Sequence, residues 1–249
     1  MDTITMADTA FNTQLFQQLQ DNILQWQGMH APLDEACPDM GLGMMSASFP
    51  HNVFPVSAVH EFVSQSRQEA AAALGFMAGL LRVLMRRGPC LWISAHRMVF
   101  PPGLKAFGLS PDQVIFVHAI NNRDALWAIE EGLKNEALSA VVGEVQDLAF
   151  TASRRFQLAV EKSRVTGFIQ RKLKGAGGTT ACVSRWRIRP LASLTEENMP
   201  GVGFPHWRVE LMKIRNGRPG SWHVQWTGKG FRVAEDTEVS TPVMIKKVV

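Results

Sequence analysis

The first stretch of this chain whose side chains could do chemistry is Ser64-Gln65-Ser66-Arg67-Gln68-Glu69, between an apolar run and an alanine-rich one. Hydroxyls and a cation at the start of a helix, where backbone N–H groups lack partners, can hold an anion. The simpler role for Ser64 or Ser66 is to cap the helix. A phosphate loop asks for more, namely G-x-x-x-x-G-K-[ST]. Its glycines bring backbone N–H groups onto the phosphates, and its lysine and hydroxyl serve the γ-phosphate and magnesium. Residues 61–70 (EFVSQSRQEA) hold no glycine and no lysine, and Glu69 would repel phosphate. A second candidate is Gly143-Glu144, at the end of the apolar run AVV. A carboxylate there could hold a metal. Without a phosphate loop beside it, Glu144 reads better as a hydrogen-bonded structural acid.

The third candidate is basic. Residues 1–150 carry 8 Lys and Arg against 15 Asp and Glu, whereas residues 151–249 carry 18 against 7, for a net charge of +4 overall. Such asymmetry suits a phosphate backbone, an acidic partner or an anionic ligand, although it also solubilises helix faces. Arg171, Lys172 and Lys174 stand beside Gly175, Gly177 and Gly178 in QRKLKGAGGTT, a flexible basic stretch able to approach phosphates. It lacks an aromatic side chain to stack on bases. Arg154 and Arg155 fall at a helix start, where cations oppose the dipole and invite a carboxylate or phosphate.

Other chemistries find no support. His60, His96, His118 and His206 have no metal spacing, and Cys37, Cys90 and Cys182 lie too far apart for zinc or a disulfide framework. There is no G-x-S-x-G nucleophile elbow. No metal or cofactor is expected. No apolar run reaches the length of a membrane span, and the first residues have neither the basic nor the apolar region of a signal peptide, so the expectation is a soluble cytoplasmic protein.

The elements that must position these residues follow from periodicity. Leu15, Leu19, Ile23 and Trp26 predict an amphipathic helix over 12–27, followed by a Gly- and Pro-containing linker to residue 43. Strands are expected over 59–63, 90–94, 114–118, 139–144 and 166–170. Helices are expected over 67–86, 122–135 and 152–163, with a short one at 101–107. This alternation implies a mostly parallel sheet flanked by helices, an α/β fold. Strands over 181–188, 207–213 and 221–227 should extend it on an antiparallel edge, and Asn216-Gly217 and Pro219-Gly220 mark a turn. Tryptophans on these elements should pack in the core, although Trp222 and Trp226 could form a partner site. The expected organisation is 1–43 as helix and linker, 44–232 as the domain, and 233–249 as a tail.

Local detail makes a family resemblance specific. CLWISAHRMVFPPGLKAFGLSPDQVIFVH, LSAVVGEVQDL and RWRIRPL followed by WRVELMKIRNGRPGSWHVQW resemble blocks of the RecA-like, P-loop NTPase-like core. AVHEF, LWIS, FPPGLKAFGL, ALWAIEEGLK, AVVGE, TASRRFQLAVEKSRVTGFI and NGRPGSW are more narrowly similar to the ImuA family, RecA-related proteins of bacterial damage-induced mutagenesis. In that resemblance Gly143 stands at the Walker B aspartate, and Ser94-Ala95-His96 where a catalytic glutamate would follow the second strand. Three parts of the nucleotide site are therefore altered together, so the site is degenerate and no ATPase activity is expected.

The resemblance implies a non-catalytic adaptor of error-prone translesion DNA synthesis in the SOS response. Its partner would be an inactive Y-family-like, ImuB-like polymerase, with an error-prone replicative-type polymerase, RecA filaments and DNA as further contacts. Two alternatives stay open: a divergent ATPase using Arg67 and Glu144, and a SulA-like inhibitor of cell division.

Overall fold

Strands inside a covered parallel sheet are buried on both faces, and all six residues of β1 (Val59–Ser64) are buried, the polar His60, Glu61 and Ser64 each with a hydrogen-bond partner. A computed structural model describes residues 38–85, 88–95, 99–172, 178–193 and 203–233. After β1 come α1 (Arg67–Leu84), β2 (Cys90–Ser94), a 3-10 segment (Pro101–Phe107), β3 (Val114–His118), α2 (Asn122–Leu133), β4 (Ala140–Val145) and α3 (Phe150–Ser163). The chain continues through β5 (Thr166–Lys172), β6 (Ser184–Pro190), β7 (His206–Ile214), β8 (Gly220–Trp226) and β9 (Phe231–Val233). The expected helix over 12–27 and the tail from residue 234 lie outside the described residues. So do His96 and Lys174.

The nine strands among the described residues form one sheet in the order β3-β2-β4-β5-β1-β6-β7-β8-β9. The expectation of a mostly parallel sheet with antiparallel C-terminal strands holds, with one correction. β6 runs parallel to β1, with His60 opposite Ser184, so the antiparallel part begins only at β7. The chain enters β6 at the start of β1, where the Val183 amide donates to the Val59 carbonyl, and so runs alongside β1 in the same direction.

The two faces bury different cores. Under α1 lies an aromatic layer in which Phe62, Phe76 and Trp186 meet with ring centroids 5.9–6.4 Å apart, continued by Trp207, Phe107, Trp226 and Phe231. Trp226 is buried and donates to the Ala106 carbonyl, which removes it from any exposed partner site. Trp127 departs from the core expectation and is 66% exposed. Under α2 and α3 lies a largely aliphatic core built from Ile93, Ile129, Val141, Phe156 and Ile169.

Candidate functional site

The turn from β1 into α1 is where a phosphate loop would sit, and two of its backbone donors, the Gln65 and Glu69 amides, are already taken. Ser66 caps α1 by accepting from the Glu69 amide at 3.1 Å. The Glu69 carboxylate folds back and accepts from the Gln65 amide at 2.8 Å. Arg187 of β6 then clamps that carboxylate, with Nη2 2.7 Å from Oε1 and Nε 3.2 Å from Oε2, and also donates to the Gln65 side chain. Burial alone would raise the Glu69 pKa. The hydrogen bonds from Arg187 and the Gln65 amide, with the Arg187 charge, outweigh it and hold the carboxyl below its ordinary value. Ser64 is buried and accepts from Gln170 at 2.9 Å. Of the stretch Ser64–Glu69, Gln65, Ser66, Arg67 and Gln68 are exposed, and Arg67 is the one cation among them.

Gly143 and Glu144 point to opposite faces of the sheet. A Cβ on Gly143 would lie 2.2 Å from Ile129 Cδ1, so that position is closed by α2. Glu144 shares the α1 face with Trp92, whose Nε1 donates to it at 2.8 Å, and it also hydrogen-bonds Ser94. Gln170 is its neighbour on β5, with Oε1 buried and without a partner among the described residues. Burial pushes the Glu144 carboxyl up to about 7, against the opposing hydrogen bonds from Trp92 and Ser94. This carboxyl is half-protonated near neutrality, a poor start for a magnesium ligand.

That shift has a consequence for stability. Unfolded, Glu144 loses its proton near 4.5; folded, it keeps it until about 7, so stability falls as pH rises through that window. His60 acts in the opposite sense. Burial lowers its pKa from 6.5 to about 4, against a raising contribution from the Pro55 carbonyl, so stability falls as pH drops through that range. The two slopes oppose each other between pH 4.5 and 6.5. Glu144→Gln is expected to unmask the His60 limb: urea midpoints should rise from about pH 4 to about 6.5 and then stay level to about pH 8. A midpoint in the variant that still declines between about pH 6 and 8 would show that Glu144 is not the group responsible.

The basic residues separate. Arg171 is not on the surface: it is 4% exposed, with Nε 2.5 Å from Glu61 Oε1. Arg185 Nε reaches Glu61 Oε2 at 2.7 Å and the Thr180 hydroxyl donates to the same oxygen at 2.8 Å. Arg171 is thus withdrawn from any phosphate contact by its partner across the sheet. Lys172 and Arg154 are exposed, and Arg155 bridges α3 to α2 through Glu130 at 3.0 Å. Sequence reasoning missed Glu61, Arg185 and Arg187 as members of these clusters. The alternation in RWRIRP was the available signal, since it puts three arginines on one strand face. Among the described residues no group of three or more His, Cys, Asp or Glu side chains is placed to hold a metal ion, and no helix is long and apolar enough to cross a membrane.

No family model matches the chain. Protein ImuA from two strains of Caulobacter vibrioides is 35% identical to it over 190 residues, covering 71% of this chain and 78% of the relative. The solved structure of the RadB recombinase superposes with a TM-score of 0.50 at 11% identity, covering 72% of this chain and 92% of that one. At that identity the likeness speaks for the fold, which is that of a RecA-type recombinase.

Proposed function

This chain belongs to the ImuA family, and from that premise we propose that it is a non-catalytic, RecA-like accessory protein of error-prone translesion synthesis in the SOS response. In this reading it is an adaptor for a Y-family-like polymerase, with the α/β domain as the rigid body on which docking segments are carried. The observation that supports it best is the carboxylate of Glu69 in the place a phosphate would need. It takes the Gln65 amide and the Arg187 guanidinium, the two kinds of donor that would otherwise meet a nucleotide. An internal anion so held has no entropic cost of capture, so an external phosphate would have to displace it and leave Glu69 buried beside a second negative charge.

Titration calorimetry with Mg-ATP and Mg-ADP tests the non-catalytic half, and no saturable heat is expected at high micromolar protein. Saturable binding that disappears in Arg67→Ala would favour a divergent ATPase instead. The adaptor half is tested by co-purification with a Y-family-like polymerase expressed from the same cells. Complex formation with the full chain, weakened when residues 234–249 are removed and the circular dichroism is intact, is the expected result. No complex with the full chain would overturn the adaptor reading.

A further inference from the structure

The face of β6–β8 turned away from α1 carries the arginines of RWRIRP, while Trp186 and Ile188 are buried on the other side. Arg185 and Arg187 are drawn inward onto Glu61 and Glu69. Arg189 is different. It stands directly opposite Arg208 across the antiparallel β6–β7 ladder. The two side chains are 40% and 46% exposed and share one carboxylate, Glu210, at 3.1 and 3.3 Å. Like charges directly opposite each other destabilise a sheet, and one carboxylate cannot neutralise both. Arg189 Nε is in addition a buried donor without an acceptor among the described residues.

The neighbours on this face add stacking groups and another cation. His223 is the cross-strand partner of Arg208, and its ring lies 5.7 Å from that of His206, edge to face. His206 Nδ1 donates to the Ala192 carbonyl at 3.2 Å, which leaves Nε2 as an acceptor, buried and without a partner among the described residues. Arg232 of β9 is exposed and stands opposite Gln225, in the neighbouring row that begins at His206. Arginines on adjacent strands stand about 5 Å apart, and alternate residues along one strand about 6.6 Å apart. That mesh is of the order of the separation of successive phosphates along one nucleic-acid strand.

We propose that this face binds a single strand of DNA, its phosphates on Arg189, Arg208 and Arg232 and a base against the His206–His223 pair. Cations tracking a backbone beside rings that accept unstacked bases is the composition of single-strand platforms, and a duplex would hide its bases from those rings. The residues of this surface belong to β6–β9, whereas Arg154 and Arg155 are on α3 and Lys172 ends β5. The inference goes beyond the adaptor reading and stands or falls without it, because no polymerase is needed to observe it.

Fluorescence anisotropy of a labelled twenty-nucleotide oligothymidylate with the full chain is the test. Saturable binding that weakens from about 50 to about 200 mM salt is expected. Arg189→Gln with Arg208→Gln should lower affinity about tenfold or more and reduce the slope of log K against log salt by roughly 1.4, about 0.7 for each phosphate no longer neutralised. Should that pair not fold, Arg232→Gln at the exposed edge serves, with an expected loss of a few-fold. Unchanged affinity in a correctly folded variant would overturn the proposal. So would loss confined to Arg154→Gln with Arg155→Gln, equal affinity for a duplex of the same length, or binding of poly-glutamate without binding of the oligonucleotide.

Discussion

Glu61→Gln is expected to lower the free energy of unfolding by about 3–5 kcal/mol, the usual cost of breaking a buried ion cluster from one side. Glu61 is fully buried and is the single carboxylate met by Arg171, Arg185 and the Thr180 hydroxyl. Glutamine keeps the shape and one accepting oxygen but leaves two guanidinium charges without a counter-charge, one of them with a terminal nitrogen, Arg171 Nη2, already buried and unpaired among the described residues. The damage should spread to residues 178–181. Arg185 Nη2 holds the Gly178 carbonyl at 2.6 Å, and that hold depends on where Glu61 places the guanidinium. Urea denaturation followed by far-ultraviolet circular dichroism gives the stability change, and hydrogen exchange at Ala181 reports the local loosening. A loss below about 1 kcal/mol would mean that solvent reaches the cluster and screens it as it does a surface pair. Removing a charge from each side, as in Glu61→Gln with Arg171→Met, should recover part of the loss, since a buried pair replaced by packed neutral groups is often close to neutral.

Gly143→Asp, which puts an aspartate where the RecA resemblance would have the Walker B carboxylate, is expected to disable the fold rather than create a magnesium site. The new Cβ would stand 2.2 Å from Ile129 Cδ1 and 2.7 Å from Cγ1, and Ile129 is fully buried in the α2 face of the core. Overpacking of this kind costs about 1–3 kcal/mol. A carboxylate set among Ile129, Val141 and Ile169 adds several kcal/mol more, because nothing there can solvate or pair with it. The combined loss rivals the whole stability of an ordinary domain, so insoluble or molten protein is the expected outcome. Gly143→Ala separates the two contributions: it should fold and lose only the overpacking share. A soluble Gly143→Asp protein that binds Mg-ATP would show that α2 can withdraw from β4, and the packing argument would fail.

By the direction its side chain faces, the carboxylate on the α1 face of β4 is Glu144, one residue after the position that the RecA resemblance gives to the Walker B aspartate. Strand register makes the difference, since a one-residue step along a strand moves a side chain from one face to the other. AVVGE is a strand, as its likeness to Walker B implies, but the likeness cannot say which of two adjacent residues looks at the phosphate position. The fold itself was legible for a simple reason. Apolar runs of five to seven residues separated by helical periods leave few arrangements other than a covered parallel sheet, and Ser66 announces the start of α1 as a helix cap.

The absence of glycine and lysine from residues 61–70 was likewise readable directly, because a phosphate loop is a local structure whose chemistry lies within one turn. What sequence could not contain is the set of partners. Arg171 meets Glu61 from 110 residues away, Arg187 meets Glu69 from 118 and Arg185 meets Glu61 from 124. Each of these contacts exists only because β1 lies between β5 and β6. The sequence by itself therefore determined the elements, the cap of α1 and the absence of a phosphate-loop motif from residues 61–70, all of which depend on neighbours along the chain. The tertiary structure decided which basic residues are buried counter-ions and which face solvent, because pairing across a sheet follows strand order and register, and neither is a property of any local stretch.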